Sequence, residues 1–111
     1  MSFYQRQEVK DALAYFRLSL NVDDDEALRR IINTPARGIG QTTMQRLSRA
    51  ALDANVSLWT VLCNLNAYQT GIASAAAKKL DAFRQLIEGF VELNMQGRSA
   101  FEVAETIITR S

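Results

Sequence analysis

The sequence predicts an all-α protein, a compact bundle of about five or six helices. Three observations carry this. One proline and five glycines are the only strong helix breakers in 111 residues. Apolar residues recur at helical spacing nearly throughout. No stretch alternates apolar and polar side chains with the β-branched enrichment of a strand. The first helix is predicted over 5–20, with Val9, Leu13, Phe16 and Leu20 inward. The run from Asn21 to Asp25 breaks that pattern, and Asp23 stands at capping-box distance from Glu26. A short second helix over 26–33 buries Leu28, Ile31 and Ile32. It ends there because Pro35 disfavours the helical conformation at Thr34. A third helix over 41–54 turns Met44, Leu47 and Ala51 inward. Ser57 caps a fourth over 58–65, whose apolar stripe is Leu58, Val61, Leu62 and Leu65. The longest helix spans 73–95, with Leu80, Phe83, Ile87, Phe90 and Val91 inward, and Gly97 stops it. Ser99 to Glu102 is a capping box for a last helix carrying Phe101, Ala104 and Ile108. The expected core includes Leu13, Phe16, Ile31, Ile32, Leu47, Leu62, Phe83 and Ile87.

Composition excludes several kinds of chemistry. The chain has the length of one domain, 1–111, with ordinary globular proportions of 48% hydrophobic and 23% charged residues. It contains no His, which removes the Ser-His-Asp triad and imidazole metal ligands. Its one cysteine, Cys63, makes neither an internal disulfide nor a Cys-rich zinc site, and it is expected to pack in the core with Trp59. Asp23-Asp24-Asp25 reads as a cap and a solvated loop, since no further ligand spacing supports a calcium loop. No metal site is expected. No run approaches the roughly 20 apolar residues of a membrane span. The N-terminal residues lack the apolar core of a signal peptide, so the expected location is cytoplasmic.

The formal charge is only +1, yet it is unevenly distributed. Residues 27–52 hold five arginines (Arg29, Arg30, Arg37, Arg46 and Arg49) and no acidic residue. That window is +5, which leaves the rest of the chain at −4. An arginine-only segment suits phosphate contact; pairing with the neighbouring aspartates is the plainer alternative. The segment also has the layout of a helix-hairpin-helix: a short helix, Pro35, the Gly38-Ile39-Gly40 turn, then a second helix opening on Thr42 and Thr43. Glycines admit backbone conformations closed to other residues and let another backbone come close. Ile39 is placed to drop between the helices. The unpaired N–H groups opening the third helix would face a phosphate, with Thr42 and Thr43 adding hydroxyls and Arg37 a charge. Such contacts position a duplex without reading its sequence.

Two stretches carry a resemblance. Residues 3–18, FYQRQEVKDALAYFRL, and residues 23–43, DDDEALRRIINTPARGIGQTT, resemble consecutive segments of UvrD/Rep-type superfamily I DNA helicases, in the same order and with a similar gap. The first resembles the passage from the second motor domain into the 2B subdomain. Val22 departs from the family, which often has proline there. The resemblance implies that the chain is a fragment of a larger, PcrA-like enzyme, since no Walker A Gly-Lys-[Ser/Thr] loop is present. It implies an accessory, regulatory 2B subdomain that touches duplex DNA through the Gly-Ile-Gly hairpin. The DNA-contacting role then falls on Thr34, Arg37, Gly38, Ile39, Gly40, Thr42 and Thr43. Arg6, Glu8, Lys10 and Asp11 correspond to the joint with the motor domains. The fragment itself would have no catalytic residue and no cofactor, ATP and Mg being bound elsewhere in the parent. The partners implied are the motor domains and duplex DNA, held weakly and without sequence preference. The competing reading from the residues is a helical interaction or scaffold module whose Gly-x-Gly turn is only structural.

Overall fold

The computed structural model describes residues 6–97, 102, 103 and 105–107. It is all-α: α1 (Arg6–Leu20), α2 (Asp25–Ile31), α3 (Gln41–Ala54), α4 (Leu58–Leu62) and α5 (Ser74–Met95), with residues 102, 103 and 105–107 also helical. Among the described residues there is no strand. Phe101, Ala104 and Ile108, expected inside a last helix, lie outside the described residues. Val103 and Ile107 are buried.

Each boundary has a local cause. The cap of α2 is Asp24 rather than Asp23; its carboxylate accepts the Ala27 N–H at 3.0 Å. Asp23 and Asp25 are spent on α4 instead. Asp23 accepts from the Ser57 hydroxyl at 2.6 Å and Asp25 from the Leu58 N–H at 2.9 Å. The acidic triplet thus ties the start of α2 to the start of α4, and no metal-binding cluster occurs among the described residues. Left-handed Asn55 closes α3, with the Val56 N–H returning to the Ala51 carbonyl. Ser57 caps α4 through the Thr60 N–H at 3.1 Å, as expected. The fourth helix ends at Leu62, short of the expected 65, and the chain turns through 63–69.

α1 and α5 pack on each other, and α2 rests on α1 and α4. The buried side chains include Tyr15, Leu18, Leu28, Ile31, Leu47, Leu58, Leu80, Phe83, Ile87 and Phe90. Tyr15 meets Phe90 edge-on, with ring centroids 6.0 Å apart. The expected inward face of α1 is corrected by the structure. Val9, Leu13 and Leu20 are 38%, 53% and 63% exposed, and Phe16 is only half-buried. The helix instead buries Ala12, Ala14, Tyr15, Leu18 and Ser19. Small alanines let the neighbouring helices approach closely. The polar tips of the buried face are satisfied: Ser19 donates to the Phe16 carbonyl at 2.6 Å and accepts from Asn94 at 2.7 Å. Cys63 is a second correction, being exposed rather than in the core with Trp59.

Candidate functional site

The residues singled out by sequence converge on the connector from α2 to α3. α2 stops at Ile31, and the Thr34–Pro35 bond is cis. Asn33 then closes the loop like a strand partner. Its Oδ1 accepts the Ile39 N–H at 3.1 Å, and its Nδ2 donates to the Ile39 carbonyl at 2.6 Å. The Ile39 side chain is 4% exposed and sits in the core. Both its side chain and its backbone polar groups are therefore engaged inside the molecule.

The two glycines differ in what holds them there. Gly38 has φ +74°, a conformation that a side chain resists. Gly40 has an ordinary extended backbone (φ −77°, ψ 167°), and a Cβ there would meet nothing within 4 Å. The interior of this molecule does not require glycine at position 40. Gly40 is also the N-cap of α3, with no side chain to cap it. The first helical bond closes from the Met44 N–H to the Gly40 carbonyl at 3.1 Å. The Gln41, Thr42 and Thr43 N–H groups precede it and have no partner within the helix. The first turn has no acidic residue. Thr42 is exposed and Thr43 half-buried, both on this turn.

Arg37 points the other way. Its Nη1 donates to the Ile31, Ile32 and Thr34 carbonyls at 2.7, 3.1 and 3.1 Å. Its Nη2 donates to the Tyr15 hydroxyl at 2.5 Å, and that hydroxyl donates in turn to the Thr34 carbonyl. The guanidinium lies over the rings of Phe83 and Tyr15, 5.1 and 5.8 Å from their centroids. Arg37 thus closes the C-terminal end of α2, whose last carbonyls need donors. Thr34 likewise turns its hydroxyl back to the Arg30 carbonyl at 3.2 Å.

Sequence reasoning missed the cation that does stand at the turn. Lys79 of α5 is exposed, and its Nζ lies 3.2 Å from the Gly38 carbonyl. The contact spans 41 residues, so no local pattern announces it. Tyr15 and Asn33 were also missed as organisers of the connector. An Asn just before a turn is a recognisable signal; Tyr15 offered none.

Two other arginines of the basic window are neutralised. Arg30 pairs with Asp11 at 2.9 Å and Arg49 with Asp53 at 3.1 Å. Arg29 and Arg46 have no carboxylate partner among the described residues. At the expected joint, Asp11 is therefore held by Arg30 of α2. Lys10 and Glu8 are exposed on α1, and the Arg6 side chain lies outside the described residues. No helix of the described residues is long and apolar enough to cross a membrane.

Comparison with known proteins gives the context of this connector. The family model described as "UvrD-like helicase C-terminal domain" matches residues 1–105. The chain is 40% identical over 92 residues to DNA helicase II of Salmonella typhimurium, covering 83% of the chain and 13% of that protein. It is 38% identical over 110 residues to ATP-dependent DNA helicase PcrA of Bacillus subtilis, covering 98% of the chain and 14% of the relative. ATP-dependent DNA helicase Rep of Salmonella typhimurium is 52% identical over 59 residues, 53% of the chain and 9% of that protein. The chain thus spans about one seventh of the length of relatives such as PcrA. With the match running nearly end to end and passing through the α2–α3 connector, the chain belongs to the UvrD-like helicase C-terminal domain family.

Proposed function

We propose that this chain is a 2B-type accessory region of a UvrD/Rep-type DNA helicase, and that its α2–α3 connector is a hairpin that grips the phosphate backbone of duplex DNA. The observation that carries this is the uncapped start of α3 behind Gly40. It offers N–H groups that no side chain caps and a first turn without a carboxylate, and the Lys79 ammonium stands two residues earlier, at the Gly38 carbonyl. In this reading the contacts fall on the backbone of 40–43, the Thr42 and Thr43 hydroxyls and Lys79. Arg37, Ile39 and Thr34 act from behind, holding the turn in shape. Gly38 supplies the turn, and Gly40 is small so that a DNA backbone can approach.

Such an interface is weak and indifferent to sequence, with affinity at or below the non-specific range of about 10⁻⁴ to 10⁻⁶ M. Hydrolysis of ATP with Mg²⁺ belongs to motor domains outside this chain, which α1 joins through the segment of Arg6, Glu8, Lys10 and Asp11. In this reading the parent enzyme works in the cytoplasm.

Gly40→Asp is the discriminating variant. Asp is a good N-cap at this backbone geometry, and its charge suits a helix N-terminus, so the fold should gain about 0.5–1 kcal/mol. The same carboxylate occupies the free N–H groups and repels phosphate. Duplex affinity should fall roughly tenfold, about 1.4 kcal/mol. A variant that is as stable as the parent chain and binds a short duplex equally well would leave the turn purely structural. The exposed Val9, Leu13 and Leu20 stripe would then favour the reading as a protein-interaction module.

A further inference from the structure

Along α3 from Thr42 lies a groove of about 440 Å³ between this helix and the 63–73 connector. Thr42 and Arg46 line one wall, one helical turn apart; Tyr68 and Thr70 line the other. Arg46 is pinned there. Its Nη1 donates to the Gly71 carbonyl, while no carboxylate pairs with it among the described residues. Gly71 is fitted to that contact: its φ is +69°, and a Cβ would come within 2.8 Å of Nη1. The remaining guanidinium N–H groups keep their donor capacity. Tyr68 is half-buried, and its hydroxyl has no partner among the described residues. Arg49 and Asp53 also line the groove, and they pair with each other at 3.1 Å. A fixed, uncompensated guanidinium with hydroxyls around it is the donor set for a phosphate.

We propose that this groove is a second phosphate contact, in which Arg46 and the Tyr68 hydroxyl seat the DNA strand just beyond the hairpin. Thr42 and Arg46 are separated by about 6 Å along α3. Phosphates along one strand advance about 3.4 Å each, so the two contacts lie one or two phosphates apart. The inference rests on the proposed DNA-facing role of the hairpin, and it adds the direction in which the strand leaves it: along α3 toward the 63–73 connector.

The test is fluorescence anisotropy of a short mixed-sequence duplex with the 111-residue chain, across a salt series. Arg46→Gln should make the slope of log K against log salt shallower by about 0.9, the value for one lost phosphate contact. Over a fourfold salt range that is about 3.5-fold less loss of affinity. Arg46→Lys, which keeps the charge, should restore the slope. Arg17→Gln, a charge paired with Asp24 elsewhere on the surface, should leave the slope alone. Tyr68→Phe should weaken binding about twofold to threefold without changing the slope. If Arg46→Gln and Arg46→Lys both weaken binding at an unchanged slope, Arg46 only holds Gly71 and the groove proposal is overturned. An unaltered slope in Arg46→Gln beside a lost affinity in Gly40→Asp overturns the groove and keeps the hairpin. Equal binding by the parent chain and Gly40→Asp overturns the hairpin reading, and this inference with it.

Discussion

Arg37 is an arginine in a basic turn that the structure commits to holding the fold, and its removal separates two accounts of the site. In Arg37→Ala the Ile31, Ile32 and Thr34 carbonyls and the Tyr15 hydroxyl lose a charged donor at once. Hydrogen bonds to charged groups contribute about 1.5–3 kcal/mol each when fully buried. These sit half-buried, and water recovers part of the loss, so about 2 kcal/mol in all is a fair sum. Losing the stack on Phe83 adds about 1 kcal/mol. The expected destabilisation is therefore about 3 kcal/mol. For a domain of this size it lowers Tm by more than about 10 °C. Urea unfolding followed by circular dichroism measures it, with an unchanged m-value as the check on two-state behaviour. Arg37→Lys should recover little, since an ammonium cannot reproduce the fork. On the folded protein, the salt slope of duplex binding should not move. A variant as stable as the parent whose slope falls by about one unit would place Arg37 on a phosphate and refute the reasoning.

The two faces of α1 should respond oppositely. Leu18→Ala should cost about 2–5 kcal/mol and Leu13→Ala under about 1 kcal/mol, read by the same urea titration; equal costs would restore the expected face. The Ala27 N–H, assisted by the Arg17 guanidinium, holds the Asp24 carboxyl below the usual carboxylate range. A carboxyl lowered on folding stabilises the fold above its unfolded value and loses that contribution as pH falls through the folded one. Asp24→Asn should therefore flatten the acid limb of the stability–pH curve, and a limb identical to the parent's would remove Asp24 from the account. Desolvation pushes the Cys63 thiol up although the residue reaches the surface. Its alkylation near neutral pH should be slower than that of a free thiol and should rise with pH; a rate at neutral pH matching glutathione's would count against this.

Much of the fold was legible because local chemistry and global packing agree. α3 runs 41–54 as its pattern predicts, and α5 buries Leu80, Phe83, Ile87 and Phe90 at the expected spacing. Ile39 drops into the core as a hydrophobic anchor should. α1 misled because it carries two usable faces. The larger apolar residues mark one, while the core takes the other, built from alanines and a tyrosine whose hydroxyl is satisfied at the end of α2. Sequence spacing does not say which face a neighbour will cover. Asp23 and Asp24 are chemically equivalent caps, and the choice was made by Ser57, which competes for Asp23. The site divides in the same way. The free start of α3 was readable from Gly40, Thr42 and Thr43. The inward turn of Arg37 and the arrival of Lys79 depend on α1 and α5, which meet the connector only in three dimensions.

The acidic triplet has a consequence for how the molecule breathes. α4 is five residues long, too short to persist by itself, because helix nucleation costs more than so few bonds return. Its first turn is held by Asp25 and by Ser57, which Asp23 engages, both from the strand of chain that starts α2. Opening at α2 therefore releases α4 as well. Amide hydrogens of Val61 and Leu62 should exchange with solvent at the rate set by α2, as one cooperative unit, while those in the middle of α5 exchange more slowly. The connector hangs from the end of α2, so the same opening event would loosen Asn33 and the turn it closes.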